Sequence, residues 1–115
     1  MTAREPLLNR RLTLEARERV ADGAGGFAET WVALGDHWAE VVAGSGREVL
    51  RDTLAVARVP WKITLRAVPV GRASRPRPDQ RFREGFRAFR ILAVAEADRA
   101  GRFLICHAIE EEVSA

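Results

Sequence analysis

Residues 58–66 read Arg58-Val59-Pro60-Trp61-Lys62-Ile63-Thr64-Leu65-Arg66. Apolar and polar side chains alternate, so Val59, Trp61, Ile63 and Leu65 share one face. A period of two marks a strand with one buried and one wet face. Pro60 has no N–H to give to a ladder, so the strand is expected to begin at an edge or to be irregular there. Near the N-terminus, Arg11-Leu12-Thr13-Leu14-Glu15-Ala16-Arg17 repeats the pattern, with Leu12, Leu14 and Ala16 on one side.

The segments around these two strands point the same way. Asp22-Gly23-Ala24-Gly25-Gly26 is a turn signal. Phe27 to Leu34 and His37 to Val42 read as two strands joined by a tight turn at Gly35-Asp36, with Trp31 and Trp38 as their large anchors. Gln80 to Arg83 and Phe86 to Ala95 flank Glu84-Gly85, which reads as a hairpin turn. Asp98 to Gly101 is a further turn. Arg102 to Glu110 is apolar on both faces, as a central strand is.

Two segments break the alternation. Gly44-Ser45-Gly46-Arg47-Glu48 opens a stretch to Ala57, in which Ser45 and Glu48 have the spacing of a capping box for one short helix. Val68 to Asp79 carries Pro69, Gly71, Pro76 and Pro78 among Arg72, Arg75 and Arg77, an exposed arginine-studded loop. The expected fold is all-β: a small barrel or sandwich of five to seven strands, with long loops and at most one short helix. Its core is expected to draw on three Trp and five Phe. A chain of 115 residues fits one domain, with residues 1–7 and 112–115 as tails.

Composition narrows the function. Cys106 is the single cysteine, so an internal disulfide and a multi-cysteine zinc site are both excluded. His37 and His107 are the two histidines, too few for a metal centre of any size. No apolar run approaches the roughly 20 residues that span a bilayer. Met1 to Pro6 lacks the apolar core of a signal peptide, so synthesis in the cytoplasm is expected. The net charge is only +3, from 19 basic and 16 acidic residues. The pI of about 10.3 reflects arginine, since Lys62 is the sole lysine.

No catalytic constellation emerges, and no cofactor is expected. The glycines at 23, 25 and 26 lack the Gly-Lys-Ser/Thr of a phosphate loop and the dinucleotide-binding spacing. Ser45, His37 and Asp36 do not have triad spacing, because two of them share one predicted turn. Cys106 and His107 are strand neighbours and point to opposite faces, one to the core and one outward. Glu110-Glu111-Glu112 reads as a solvated tail. Arg72, Arg75, Arg77, Arg81, Arg83, Arg87 and Arg90 crowd one region, opposed in the sequence by Asp79 and Glu84 alone. That cluster supports an alternative, a small nucleic-acid-binding β-barrel. Its phenylalanines lie at strand positions and do not form an interleaved stacking platform.

The ordered set of elements resembles a known family. Leu8-Asn9-Arg10-Arg11-Leu12-Thr13-Leu14-Glu15 is followed by Asp22 to Trp31, then by His37-Trp38-Ala39-Glu40-Val41 and Gly44-Ser45-Gly46-Arg47-Glu48. Next come Arg58 to Arg66, Phe82 to Ile91 and Asp98 to Glu111. Together these resemble the phage head–tail joining proteins, the head-closure or stopper proteins of long-tailed phages, and most of all the versions carried by gene transfer agents. The likeness runs over residues 8 to 111; Val59-Pro60-Trp61 is more apolar than the family's usual start to that strand.

The resemblance implies a non-enzymatic virion structural protein, a β-barrel subunit of a ring at the particle neck. Such a ring lies between the portal-bound adaptor and the tail terminator and helps to retain double-stranded DNA or let it pass, without sequence readout. Six copies are favoured over twelve. In relatives a long loop projects toward the channel, and here it maps to residues 44–57. The expected ring and channel contacts are Gly44, Ser45, Gly46, Arg47, Glu48, Arg51 and Asp52. Arg72, Arg75 and Arg77 are the expected contacts to a partner or to DNA. A head-to-tail ring contact needs two different lateral surfaces.

Overall fold

The computed structural model describes residues 5–44, 50–51 and 57–113. The described chain is all β, with no helix. Its strands are β1 (Arg10–Ala21), β2 (Phe27–Ala43), β3 (Leu50–Arg51), β4 (Ala57–Arg58), β5 (Trp61–Arg66), β6 (Arg81–Glu84), β7 (Arg87–Glu96) and β8 (Phe103–Glu112). Six of them close a barrel in the order β1-β2-β5-β8-β7-β6, and every pairing is antiparallel. β3 and β4 form a separate two-stranded piece within the β2–β5 connection.

Alternation fills the barrel. Leu12 and Leu14 of β1, Ala39 of β2, Ile63 and Leu65 of β5, Phe82 of β6, Phe89 and Ile91 of β7, and Leu104, Cys106 and Ala108 of β8 form one buried cluster. These positions advance in steps of two, the period that places side chains on one face. β5 begins at Trp61, after Pro60, as the missing N–H requires. Val59 lies outside the strand and is exposed, so the expected buried face starts one alternation later.

The segment read as two strands is one. β2 runs through Gly35-Asp36 without a turn, because Leu14 pairs with Gly35 and Glu15 with Ala33, leaving Leu34 as an extra residue. That bulge absorbs the kink that glycine and aspartate suggest. Gly35 has φ +151°, which favours glycine, and a Cβ there would stand 3.4 Å from the Ser74 Cβ. A second bulge leaves Leu92 extra in β7, between the pairs Ile91–Ala108 and Ala93–His107. Bulges of this kind sharpen the local twist and help a small sheet close.

The bulge at Leu34 also decides where the tryptophans go. Trp31 pairs with Arg17 and Trp38 with Arg11, both on the outer face. Trp38 is 58% exposed, so neither is the core anchor that the sequence suggests. Trp61 takes that place, edge-on to Phe89 with ring centroids 5.7 Å apart. Phe27 and Phe86 are exposed. Of the five phenylalanines, Phe82 and Phe89 are fully buried.

Beyond the pairs to β6 (Thr13–Glu15) and β5 (Ala39–Ala43), β1 and β2 pair only with each other among the described residues. They leave the barrel as a two-stranded arm that turns at residues 22–26. The Asp22 carboxylate accepts from the Ala24 and Gly26 N–H groups and fixes that turn. At about 3.3 Å per residue the 17-residue β2 spans roughly 56 Å, which matches the molecule's longest extent of 59 Å.

Two smaller expectations shift. The β6–β7 turn is Gly85–Phe86, one residue later than read, because Glu84 already pairs with Arg87; Gly85 takes φ +59° there. Glu110-Glu111-Glu112 is not a tail but the end of β8. Arg87 and Arg90 on β7 meet Glu110 and Glu111, which draws the acidic run into the sheet.

Candidate functional site

The register places the connections at two ends of the barrel. The arm, the β5–β6 loop (residues 67–80) and the β7–β8 turn lie at one end. The β2–β5 connection, the Gly85–Phe86 turn, the described start of the chain and the end of β8 lie at the other. The two loops expected to make contacts therefore leave the barrel at opposite ends.

At the second end, Gly44 donates its N–H to the Pro60 carbonyl at 2.7 Å and pinches the base of the 44–57 connection. Leu50–Arg51 pairs with Ala57–Arg58 as a short ladder within it. Ser45, Gly46, Arg47, Glu48 and Asp52 lie outside the described residues, and the Arg51 side chain does too. The capping-box helix expected there falls on the same residues.

The barrel mouth at this end is closed by charge, an arrangement the sequence reading missed. Arg10 of β1 makes a bidentate pair with Glu84 of β6. Arg87 of β7 makes another with Glu110 of β8, at 2.8 and 3.0 Å. The Arg87 guanidinium also lies 5.0 Å from the Phe89 centroid and 5.3 Å from Trp61. Hydrogen bonds from Arg10 hold the Glu84 carboxyl below the ordinary range, and those from Arg87 do the same for Glu110. Two arginines and two glutamates thus cap the apolar interior with no net charge. The four residues lie 74 and 23 apart in sequence as pairs, so only the barrel brings them together. Beside them Phe86 stands 89% exposed at the tip of its turn.

The first end is closed by the β5–β6 loop. Pro76 is fully buried. His37, on the inner face of β2, is bonded through Nε2 to the Ser74 carbonyl at 2.8 Å and lies edge-on to Phe82. Burial pushes the His37 pKa down against that bond. Arg75 turns inward and donates to the Val68 carbonyl at 2.8 Å, so it braces the loop. Arg72 and Arg77 are exposed.

The arginine cluster of the sequence does not survive as one patch. Arg81 pairs with Glu15, Arg87 with Glu110, and Arg90 with Glu111 and Asp79. Arg83 donates to the Gly85 carbonyl. Carboxylates remote in sequence neutralise three of the seven, and Arg75 is turned inward. The outer face of the arm root holds one more arrangement that spacing did not reveal. The Arg81 guanidinium lies 4.0 Å from the Trp31 ring, and that of Arg17 lies 5.3 Å from it.

Cys106 is buried, and desolvation raises its thiol pKa to about 12, which keeps it protonated and unreactive. His107 faces outward. Among the described residues no three His, Cys, Asp or Glu side chains stand close enough together to hold a metal ion.

The sequence matches the model of the phage head completion protein family over residues 4–112. The chain belongs to that family. A chain solved in the virion of a native gene transfer agent particle is similar to it at 59% sequence identity. The similarity covers 96% of this chain and 100% of that one, with a TM-score of 0.74. No curated protein sequence matches it. A head completion protein on this fold offers an arm and a cationic loop at one end, and a long connection with an exposed Phe86 at the other.

Proposed function

We propose that the chain is a structural protein of the neck of a tailed-phage-like particle or gene transfer agent. Copies of it form a ring, six favoured over twelve, that joins the portal-bound adaptor to the tail terminator. It makes and breaks no bonds. The observation that carries this reading is the family match over nearly the whole chain, together with the 59% identity to a gene transfer agent virion chain. The fold suits it: different loops leave the two ends of the barrel, so each end can meet a different partner.

The connection 44–57 is the part assigned to the channel, with Gly44 and Gly46 permitting backbone angles that other residues resist. Replacing Gly46 alone with proline, which keeps the Gly44 N–H on the Pro60 carbonyl, is expected to block head–tail joining while the monomer still folds. DNA passing through the ring needs only weak contact, without base readout, that fades with salt. The rival reading, a nucleic-acid-binding barrel using Arg72 to Arg90, is weakened by the pairing of Arg81, Arg87 and Arg90 with carboxylates.

Deletion in a particle-producing host tests the role. The expected result is DNA-filled heads and free tails that stay apart, with joining restored by the intact chain. Tailed, infectious or transfer-competent particles formed in its absence overturn it.

A further inference from the structure

Where the β5–β6 loop meets the root of the arm there is a cleft of about 590 Å³, bordered by Leu34, Val70, Arg72, Arg75, Arg77 and Gln80. Its chemistry is double. Arg72, Arg75 and Arg77 bring three cations, and among the described residues none is paired with a carboxylate; Arg75 is spent on the Val68 carbonyl, and nearby Asp79 is turned to Arg90. Val70 brings an aliphatic side chain that is 84% exposed. On the β2 side, Leu34 is followed along the strand by Val32, also exposed, which pairs with Ala16. The cleft therefore adjoins the inner face of the arm, which carries the exposed Val32 and Val20 with Glu18 and Thr30 between them.

The cleft is also preformed. Arg75 ties the loop to Val68, the Ser74 carbonyl is held by His37, and Pro76 is locked in the barrel mouth. Gln80 fixes the Arg77 backbone, accepting its N–H at 2.9 Å. A groove held this way loses little conformational freedom when it is filled.

We propose that this cleft takes an acidic segment carrying an apolar side chain, contributed by a neighbouring protein of the particle. The inference rests on the neck reading above. Carboxylates on the segment meet Arg72 and Arg77, and its apolar side chain covers Val70 and Leu34. A phosphate backbone fits less well. It would need a longer row of cations and would leave the exposed aliphatic surface uncovered, and no aromatic platform stands at the cleft. A second copy of this chain also fits less well, because Glu110 and Glu111 of its acidic run are already bound to Arg87 and Arg90.

The test replaces Val70 with the photoreactive amino acid p-benzoylphenylalanine in the full chain, assembles particles, irradiates them and maps the crosslink by mass spectrometry. The expected crosslink is to a different polypeptide, within a stretch that contains several Asp or Glu and an apolar residue. Adding Arg72→Glu and Arg77→Glu lowers its yield at least tenfold, while the melting temperature of the free protein is unchanged. Crosslinks to DNA, crosslinks to another copy of the chain, or none in particles that contain the chain overturn the inference and leave the neck reading standing. Particles that lack the chain altogether overturn both.

Discussion

Arg81→Ala tests how the arm is held to the barrel. Arg81 of β6 reaches Glu15 at 2.7 Å, and the two side chains are only 14% and 13% exposed. The same guanidinium lies 4.0 Å from the Trp31 ring. Removing it leaves Glu15 largely desolvated and without that partner. Breaking a fully buried pair costs about 3–5 kcal/mol, and the residual exposure here reduces that to about 2 kcal/mol. Loss of the cation over the ring adds about 1 kcal/mol. The sum, about 3 kcal/mol, corresponds to a fall in Tm on the order of 10–15 °C for a domain of this size. Thermal unfolding followed by circular dichroism measures it. The double variant Glu15→Gln/Arg81→Met is expected to recover more than half of the loss, because it leaves no unpaired charge behind. A single variant within about 0.5 kcal/mol of the parent, or a double variant no better than the single, refutes the reasoning.

Three other outcomes follow from the same geometry. Gly35→Val forces a β-branched residue into φ +151° against Ser74; a loss of about 2–3 kcal/mol in denaturant titration is expected. Cys106 should resist a thiol reagent in the native state and react only as fast as the protein unfolds, since burial holds its pKa near about 12; fast native labelling contradicts the packing. His37 is kept neutral in the folded state by burial, while in the unfolded chain it titrates near its ordinary 6.5. Below that pH the unfolded state binds the extra proton, so stability is full above about 6.5 and declines as pH falls through it. His37→Gln should flatten that decline, as measured by chemical denaturation across the range, leaving the further loss at lower pH where Glu84 and Glu110 take up protons.

Local alternation was enough to reveal an all-β chain and most of its strands, because a period of two is written residue by residue at Leu12, Leu14, Ile63 and Leu65. What stayed hidden depends on register. Gly35-Asp36 is chemically suited to a turn or to a bulge, and only the pairing with Leu14 and Glu15 decides between them. The bulge then sends Trp31 outward, against the expectation that a large aromatic fills the core. The arginines from 72 to 90 look like one basic patch because their partners, Glu15, Glu110 and Glu111, are far away in the chain. The mouth network of Arg10, Glu84, Arg87 and Glu110 was illegible for the same reason. The resemblance to the head–tail joining proteins rested on the order of elements, and that order is what the family match over residues 4–112 supports.

The most direct measurement is an electron cryo-microscopy reconstruction of the intact particle, at a resolution that traces side chains. This chain's barrel, with its arm and both bulges, is expected as a closed ring at the junction of head and tail. Density for it elsewhere in the particle, or a junction built entirely from other chains, contradicts a neck role for this chain.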